Sequence, residues 1–232
     1  MMYNKVILIA GATGGMGKVL CRQLAKQGCK LALAGRKEAE LAALKAELEA
    51  IGCEVMTAVT DVTVEDQVKE FVDAAVAVFG KLDALVNLAG ISIPAKIWDT
   101  DEATYDRMLD VNLKGTYLMC KHFVPHAAEN ARIINIGSMA ARRTNGNAPL
   151  YCVAKSALNT FSQGLALQVA SRGIHVTTLN PGGADTPFWC DRPVKLDKML
   201  QAQDVVDVIL FVLNAHPRMA IHSVDFESIE MV

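Results

Sequence analysis

Tyr151 and Lys155 stand four residues apart in the run Tyr151-Cys152-Val153-Ala154-Lys155. On a helix, positions i and i+4 share a face. That placement matters for acid–base chemistry, because a free phenol has a pKa near ~10 and is a poor base at neutral pH. An ammonium alongside favours the phenolate and brings the group nearer a useful range. Ser138 lies thirteen residues upstream, just past the apolar run Arg132–Ile136. Its hydroxyl can hold a carbonyl or alcohol oxygen against the same phenol. Taken alone, such a Tyr/Lys pair is commonplace on a helix surface; its weight comes from what accompanies it.

The first companion is the glycine-rich stretch Gly11-Ala12-Thr13-Gly14-Gly15-Met16-Gly17-Lys18, directly after Val6-Ile7-Leu8-Ile9-Ala10. Gly11 permits a tight turn, Gly15 lets backbone approach a pyrophosphate, and Gly17 lets a helix pack closely on its strand. The amino end of the following helix offers free N–H groups and a positive dipole to phosphates. The spacing is G-x-x-x-G-x-G. The second apolar run ends Ala34-Gly35-Arg36-Lys37, with no carboxylate for a ribose 2′-hydroxyl and a guanidinium suited to a 2′-phosphate. We therefore expect NADP(H) as preferred cofactor, with NAD(H) possible. His122 and His126 have the spacing of two helical metal ligands, but Pro125 interrupts and no third ligand is evident, so no metal is expected.

Elements that would position these groups alternate along the chain. Short apolar runs at Val6–Ala10, Lys30–Ala34, Glu54–Val59, Ala84–Leu88, Arg132–Ile136, Ile174–Leu179 and Ala220–Phe226 read as strands buried on both faces. Helical stripes separate them: Leu41, Leu44, Leu48 and Ile51 in Glu38–Ile51, and Val68, Phe71, Val72, Ala75 and Phe79 in Glu65–Phe79, with Thr63 or Asp66 as a cap. Gly28, Gly52, Gly80 and Gly173 follow helical stretches, where positive φ is wanted. Such alternation predicts a single-domain, Rossmann-like α/β fold over residues 1–232. It is a doubly wound parallel sheet of about seven strands with helices on both faces.

Composition narrows the function. The 232 residues are 52% hydrophobic and 21% charged, with a net charge of −2, so the chain can build a full core and is not disordered. The charge balance argues against nucleic acid and against an anionic membrane surface as partners. Six scattered cysteines with no C-x-x-C pair read as reduced thiols in a cytoplasmic protein. Neither a transmembrane run nor a signal peptide is expected.

Together these pieces resemble the short-chain dehydrogenase/reductase family, over nearly the whole chain. They fall in order: the turn Gly11–Gly17, Asp61-Val62, Asn87-Leu88-Ala89-Gly90, Asn112 in Val111–Gly115, Ser138, Tyr151, Lys155, Asn180-Pro181-Gly182 and Thr186. The resemblance implies that Tyr151 donates or accepts the proton and that Ser138 positions the substrate oxygen. Lys155 would bind the nicotinamide ribose and depress the tyrosine pKa, and Asn112 would hold a water of a proton relay. Cofactor contacts would come from Gly11, Thr13, Gly15, Met16, Gly17, Arg36, Asp61 (to the adenine), Val62, Asn87, Ala89, Gly90, Tyr151, Lys155, Pro181, Gly182, Ala184 and Thr186. Ala10 stands where the family usually has Thr, Leu88 where it has a second Asn, and Gly14 where many NADP(H)-preferring relatives carry Lys or Arg. The resemblance also makes Asp101–His126 and Leu150–Arg172 the helices of a homodimer or homotetramer.

The implied activity is reversible reduction of a small-molecule carbonyl compound to an alcohol with NADPH. A narrower alternative is a 3-hydroxy acid dehydrogenase or a 3-oxoacyl-carrier-protein reductase; from another class, a non-catalytic dinucleotide-sensing regulator. The segment Pro187–Pro193, within a loop at about residues 187–200, reads as a substrate-covering flap, with Trp98 as the opposite wall. Arg142 and Arg143 are candidates for an anionic substrate group. The stripe Leu158, Phe161, Leu165 and Val169 suits either core or interface.

Overall fold

In the computed structural model, residues 2–190 and 192–232 are described, so Met1 and Asp191 of the loop segment lie outside the described residues. The strands are β1 (Val6–Ala10), β2 (Lys30–Gly35), β3 (Val55–Val59), β4 (Leu82–Asn87), β5 (Ala127–Ile136), β6 (His175–Pro181), β7 (Ala184–Asp185), β8 (Leu200–Gln201) and β9 (Ser223–Phe226). The helices are α1 (Gly15–Lys26), α2 (Glu38–Glu49), α3 (Glu65–Phe79), α4 (Glu102–Leu109), α5 (Gly115–Phe123), α6 (Pro149–Val169) and α7 (Ala202–Leu213). Seven strands form one parallel sheet in the order β3-β2-β1-β4-β5-β6-β9.

Both sheet faces are covered, and the central strand β1 is apolar at every position. In β1, Ile7 and Ile9 face a cluster completed by Leu20 and Leu24 of α1, Leu44 of α2 and Ile209 of α7. Val6, Leu8 and Ala10 face the other way, toward Phe71 of α3 and Leu118 and Phe123 of α5. The two-residue alternation of a strand thus sorts one continuous apolar run into two cores. The strand order reverses between β1 and β4. The loops after these strands therefore diverge and leave a crevice at the carboxyl ends.

The expected elements are present, with shifted edges. β5 begins five residues earlier than expected, because its polar start, with Glu129 and Asn130, carries no apolar signal; its pairing with β4 is irregular between Leu82 and Ala84. The last strand is shorter, Ser223–Phe226. Gly28, Gly52, Gly80 and Gly173 all have positive φ. Neither Thr63 nor Asp66 caps α3: Val64 is the capping residue, without a side-chain bond, and Thr63 bonds Asp61 instead. The stretch Asp101–His126 is broken into α4, a π-helical turn at Asp110–Lys114, α5 and a 3-10 turn at Val124–His126 that contains Pro125. Leu158 and Val169 are core, whereas Phe161 is partly buried against Tyr117, with ring centroids 6.2 Å apart. No helix among the described residues is long and apolar enough to cross a membrane.

The α1–β1 junction is closely packed. A Cβ on Gly17 would sit 2.4 Å from the Gly11 carbonyl oxygen and 2.6 Å from that of Ala12. Both obstacles are backbone, which cannot retreat without moving the strand end. Gly17→Ala is expected to destabilise the protein by about 1–3 kcal/mol, read as a lower urea midpoint at unchanged m-value. Gly164→Ala, in the middle of α6 with open space around it, should instead stabilise by about 0.5–1 kcal/mol through helix propensity.

Candidate functional site

A cleft of about 920 Å³ opens at the carboxyl end of the sheet, and Ser138, Tyr151 and Lys155 all line it. Ser138 follows β5 and starts a 3-10 turn, where its Oγ accepts from the Ala140 N–H at 3.1 Å. Its own N–H donates to Asn180 Oδ1 at 3.1 Å. Asn180, at the end of β6, is wholly buried. Its Oδ1 also accepts from Asn159 Nδ2 (3.0 Å), and its Nδ2 donates to Asp225 Oδ1 (2.8 Å) and Asn159 Oδ1 (3.1 Å). Gly137 is small for this reason, since a Cβ there would lie 2.0 Å from Asn180 Oδ1.

Asn112 sits in the π-helical turn and is fully buried. Its Nδ2 donates to Ile91 O (2.8 Å) and to Met108 O (2.9 Å), and its Oδ1 accepts from Ile91 N–H (3.2 Å). The side chain takes the helical carbonyl of Met108 and ties the turn to the loop after β4, where Gly90 lies. A Cβ on Gly90 would come 3.1 Å from Asn112 Oδ1 and 3.5 Å from Lys155 Nζ. A π turn at such a junction is typical of functional positions in helices.

Lys155 is buried and donates to Ile136 O at 2.8 Å. Burial lowers its pKa to about 8. Its Nζ is 5.7 Å from the Tyr151 ring centroid. The phenol is pushed up to about 12 by burial, which outweighs the lowering by its hydrogen bond with Ser138 and by the Arg192 charge. The sequence expectation of a phenol lowered by the adjacent ammonium is therefore not met here. In the protein alone, desolvation wins because a charge on either group must be carried in a poorly hydrated pocket. The phenol is held in its protonated form.

Of the expected cofactor residues, Met16, Gly90, Pro181, Gly182, Ala184 and Thr186 line the same cleft with Tyr151 and Lys155. Gly11 has φ +83° and lies against Ala89, whose N would be 2.8 Å from an added Cβ. Gly15 faces Thr186, 2.9 Å from an added Cβ, and Thr13 Oγ1 lies against Gly35. Val62 packs on Gly115 at the start of α5. The Asp61 carboxylate is engaged by the N–H and hydroxyl of Thr63, at 2.9 and 2.7 Å. Burial raises its pKa, but those bonds and the charges of Arg36 and Arg107 prevail and leave it lowered. Asn87 turns its side chain away from the cleft: its Nδ2 donates to Asn135 Oδ1 at 2.8 Å, bracing β4 against β5. Arg36 is exposed just past β2. The neighbouring Lys18 and Lys37 both pair with Glu40, each at 2.7 Å, and hold its carboxyl down at about 2. Arg36 has no carboxylate within ion-pair distance among the described residues.

The substrate side brings corrections. Trp98 is 81% exposed and does not line the cleft; that wall is built from Pro94, Ala95 and Lys96, because the 3-10 turn Ile97–Asp99 points the indole outward. Arg142 is spent on Asp225 and Ser223, and Arg143 pairs with Glu227. His122 bonds Glu65 at 3.1 Å. The loop after Thr186 does reach the site. Phe188 lies 6.0 Å from the Tyr151 ring, and Trp189 Nε1 donates to Ala184 O at 2.8 Å. Its ends are pinned by the two-residue parallel pairing of β7 with β8. Sequence reasoning passed over Asn159, Asp225, Glu227 and Met231, which stand in unremarkable helical and tail segments. Only the apolar alternation of β9 hinted that Asp225 would reach the sheet end.

Comparison with known proteins agrees with this geometry. A family model described as short chain dehydrogenase matches residues 5–195. An uncharacterized oxidoreductase of Staphylococcus saprophyticus is 32% identical over 215 residues, covering 91% of this chain and 92% of that protein. Among solved structures, a short chain dehydrogenase from Burkholderia cenocepacia in complex with NADP superposes with a TM-score of 0.92 at 27% identity, over 100% of this chain and 99% of that one. A short-chain dehydrogenase/reductase from Serratia marcescens gives 0.89 at 25% identity, over 97% of each chain. With a family model matched over most of its length and relatives covered almost end to end, the chain belongs to the short-chain dehydrogenase/reductase family of NAD(P)-dependent oxidoreductases.

Proposed function

We propose that the protein is an NADP(H)-dependent oxidoreductase that interconverts a carbonyl compound and a secondary alcohol, with Tyr151 as the acid–base group. The observation that carries this reading is the convergence of Ser138, Tyr151 and Lys155 on one cleft, beside the Asn112 turn and the glycine loop. The residues present fit a dinucleotide. Gly11, Gly15 and Gly90 keep the path narrow and free of side chains. The Lys155 ammonium has three N–H groups and spends one on Ile136 O, which leaves donors for ribose hydroxyls. Arg36, left over when Glu40 takes both lysines, suits a 2′-phosphate. The Burkholderia neighbour, solved with NADP, points the same way.

When bound, the nicotinamide supplies or takes up the hydride. Tyr151 gives its phenolic proton to the carbonyl oxygen in reduction and recovers it in oxidation. A phenol kept neutral by burial is poised for the donating direction. Ser138 spends its Oγ lone pair on Ala140 and retains its O–H for the phenol or the substrate oxygen. Asn112 uses both N–H groups on backbone carbonyls, so it serves a relay chiefly by fixing the π turn, with one Oδ1 lone pair left for a water. The loop at about residues 187–200 covers the substrate through Phe188 and Trp189. Exposed Tyr105, Tyr117, Val153 and Leu167 on α4, α5 and α6 support a homodimer or homotetramer, and six free thiols support a reducing, cytoplasmic setting.

Tyr151→Phe should lower turnover by at least about 100-fold while fluorescence titration shows NADPH binding retained; a near-wild-type rate would sink the assignment. Arg36→Asp should shift the NADPH/NADH preference in kcat/KM toward NADH, and an unmoved ratio would remove Arg36 from the phosphate site. Lys155 binds its proton less tightly folded (about 8) than unfolded (10.5). The unfolded chain therefore holds more protons between these values, and stability gains a term that rises with pH across that window. Buried thiols raised by desolvation pull the other way as pH climbs, so the term is read as a difference. In urea melts of cofactor-free protein at pH 7.5, 8.5 and 9.5, wild type should gain stability relative to Lys155→Met as pH rises.

A further inference from the structure

Besides Lys155, the cleft is lined by three cations: Arg143 pairs with Glu227, Lys96 lies over the Trp98 ring, and Arg192 is used by no step above. Arg192, on the loop after Thr186, lines the cleft and sets its guanidinium against an edge-to-face pair of aromatic rings, with Cζ 5.2 Å from the Phe188 centroid and 4.8 Å from that of Trp189. Its Nε donates to Trp189 O at 2.9 Å and one Nη2–H donates to Phe188 O. A guanidinium carries five N–H donors, so three stay available on a group already held in place. Phe188 is in turn the ring that packs on Tyr151, and the Arg192 charge is felt at the Tyr151 phenol. The anionic candidates expected from sequence, Arg142 and Arg143, are neutralised by Asp225 and Glu227. Among the described residues Arg192 has no carboxylate within ion-pair distance, in contrast to those two.

We propose that Arg192 binds the carboxylate of the substrate, so that the enzyme acts on short oxo acids and the matching hydroxy acids. The inference rests on the carbonyl-reductase reading above and narrows it to a substrate class. The chemistry favours a carboxylate because a planar guanidinium offers paired parallel N–H groups that match its two oxygens. Phe188 and Trp189 exclude water around the pair and strengthen it. Phe188 neighbours both groups, 6.0 Å from the Tyr151 ring and 5.2 Å from the Arg192 guanidinium, so a substrate lying along that ring presents its carbonyl to Ser138 and Tyr151 and its carboxylate to Arg192. The substrate is thus fixed at two points, and the carbonyl carbon is oriented before the proton of Tyr151 is given up. Neutral ketones of the same length would be held at one point only.

The test compares a short 3-oxo acid with its methyl ester, in wild type, Arg192→Gln and Arg192→Lys, by NADPH oxidation. Wild type should favour the acid in kcat/KM by about 10- to 100-fold, the range of a charge-assisted hydrogen bond. In Arg192→Gln the acid/ester ratio should fall to about one, chiefly through KM for the acid, with the KM for NADPH unmoved; Arg192→Lys should restore part of the ratio. An acid/ester ratio near one in wild type overturns the proposal. So does an unchanged ratio in Arg192→Gln with both rates lowered, the signature of a loosened loop, or a raised KM for NADPH, which would place Arg192 on the cofactor. Tryptophan fluorescence titration with the acid and the ester, in protein saturated with NADP, separates the two readings. Arg192-dependent preference for the acid without turnover defeats the reductase reading and keeps the carboxylate site. Equal binding of acid and ester defeats the carboxylate site whatever the turnover.

Discussion

One buried amide, that of Asn180, holds the active end of this protein together. It is wholly inside, so every polar atom it carries must find a partner or cost on the order of 1–3 kcal/mol. The partners come from three different segments: the Ser138 N–H after β5, Asn159 in α6, and Ser223 and Asp225 in β9, all converging on the end of β6. Because the amide is planar and its donors and acceptors point in fixed directions, satisfying it sets the angle between α6 and the sheet. That angle decides how Tyr151 and Lys155 meet Ser138. The contact leaves no room for a side chain at Gly137, and it anchors Asp225, which then claims Arg142. Geometry at the reacting groups is thus inherited from a satisfied hydrogen-bond network below them.

The two titrating groups obey the same economy of water. Tyr151 and Lys155 are both pushed toward neutrality, the phenol upward and the ammonium downward, by one cause, the loss of solvent. Side-by-side placement on a helix is not enough to transfer charge from one to the other. The 5.7 Å between Nζ and the phenol ring leaves the ammonium bonded to Ile136 O. Proximity in sequence therefore predicts which groups are partners more reliably than it predicts their protonation.

Much of this was legible in the chain. The apolar runs announce the strands because a strand buried on both faces has no polar side, and the four expected glycines take positive φ because little else tolerates it. The reacting residues were legible because their spacing is local: Tyr151 and Lys155 share a helix, and Ser138 ends a strand. What could not be read is whatever depends on side-chain direction in irregular backbone. Trp98 turns outward on a short 3-10 turn, and Asn87 turns toward β5 rather than the cleft. The break in the helix at Asn112 arises from a side chain that competes for the Met108 carbonyl, which has no periodic signature. The partners of Arg142 and Arg143 were hidden for a simpler reason: their carboxylates lie more than eighty residues away in sequence.

The parallel pairing of β7 with β8 is only two residues deep, yet it joins the chain before the loop to the chain after it. Leu200 N–H donates to Gly183 O at 3.0 Å, closing the base like a clasp. A loop closed at its base carries its insertions and deletions outside the sheet, and the entropic cost of lengthening it grows only with the logarithm of its length. Everything between Thr186 and Met199 is therefore a separable cassette. The scaffold that fixes the reaction and the segment that selects what is reacted can then diverge at different rates, joined by this short pairing and by the contacts of Phe188 with Tyr151 and of Trp189 with Ala184.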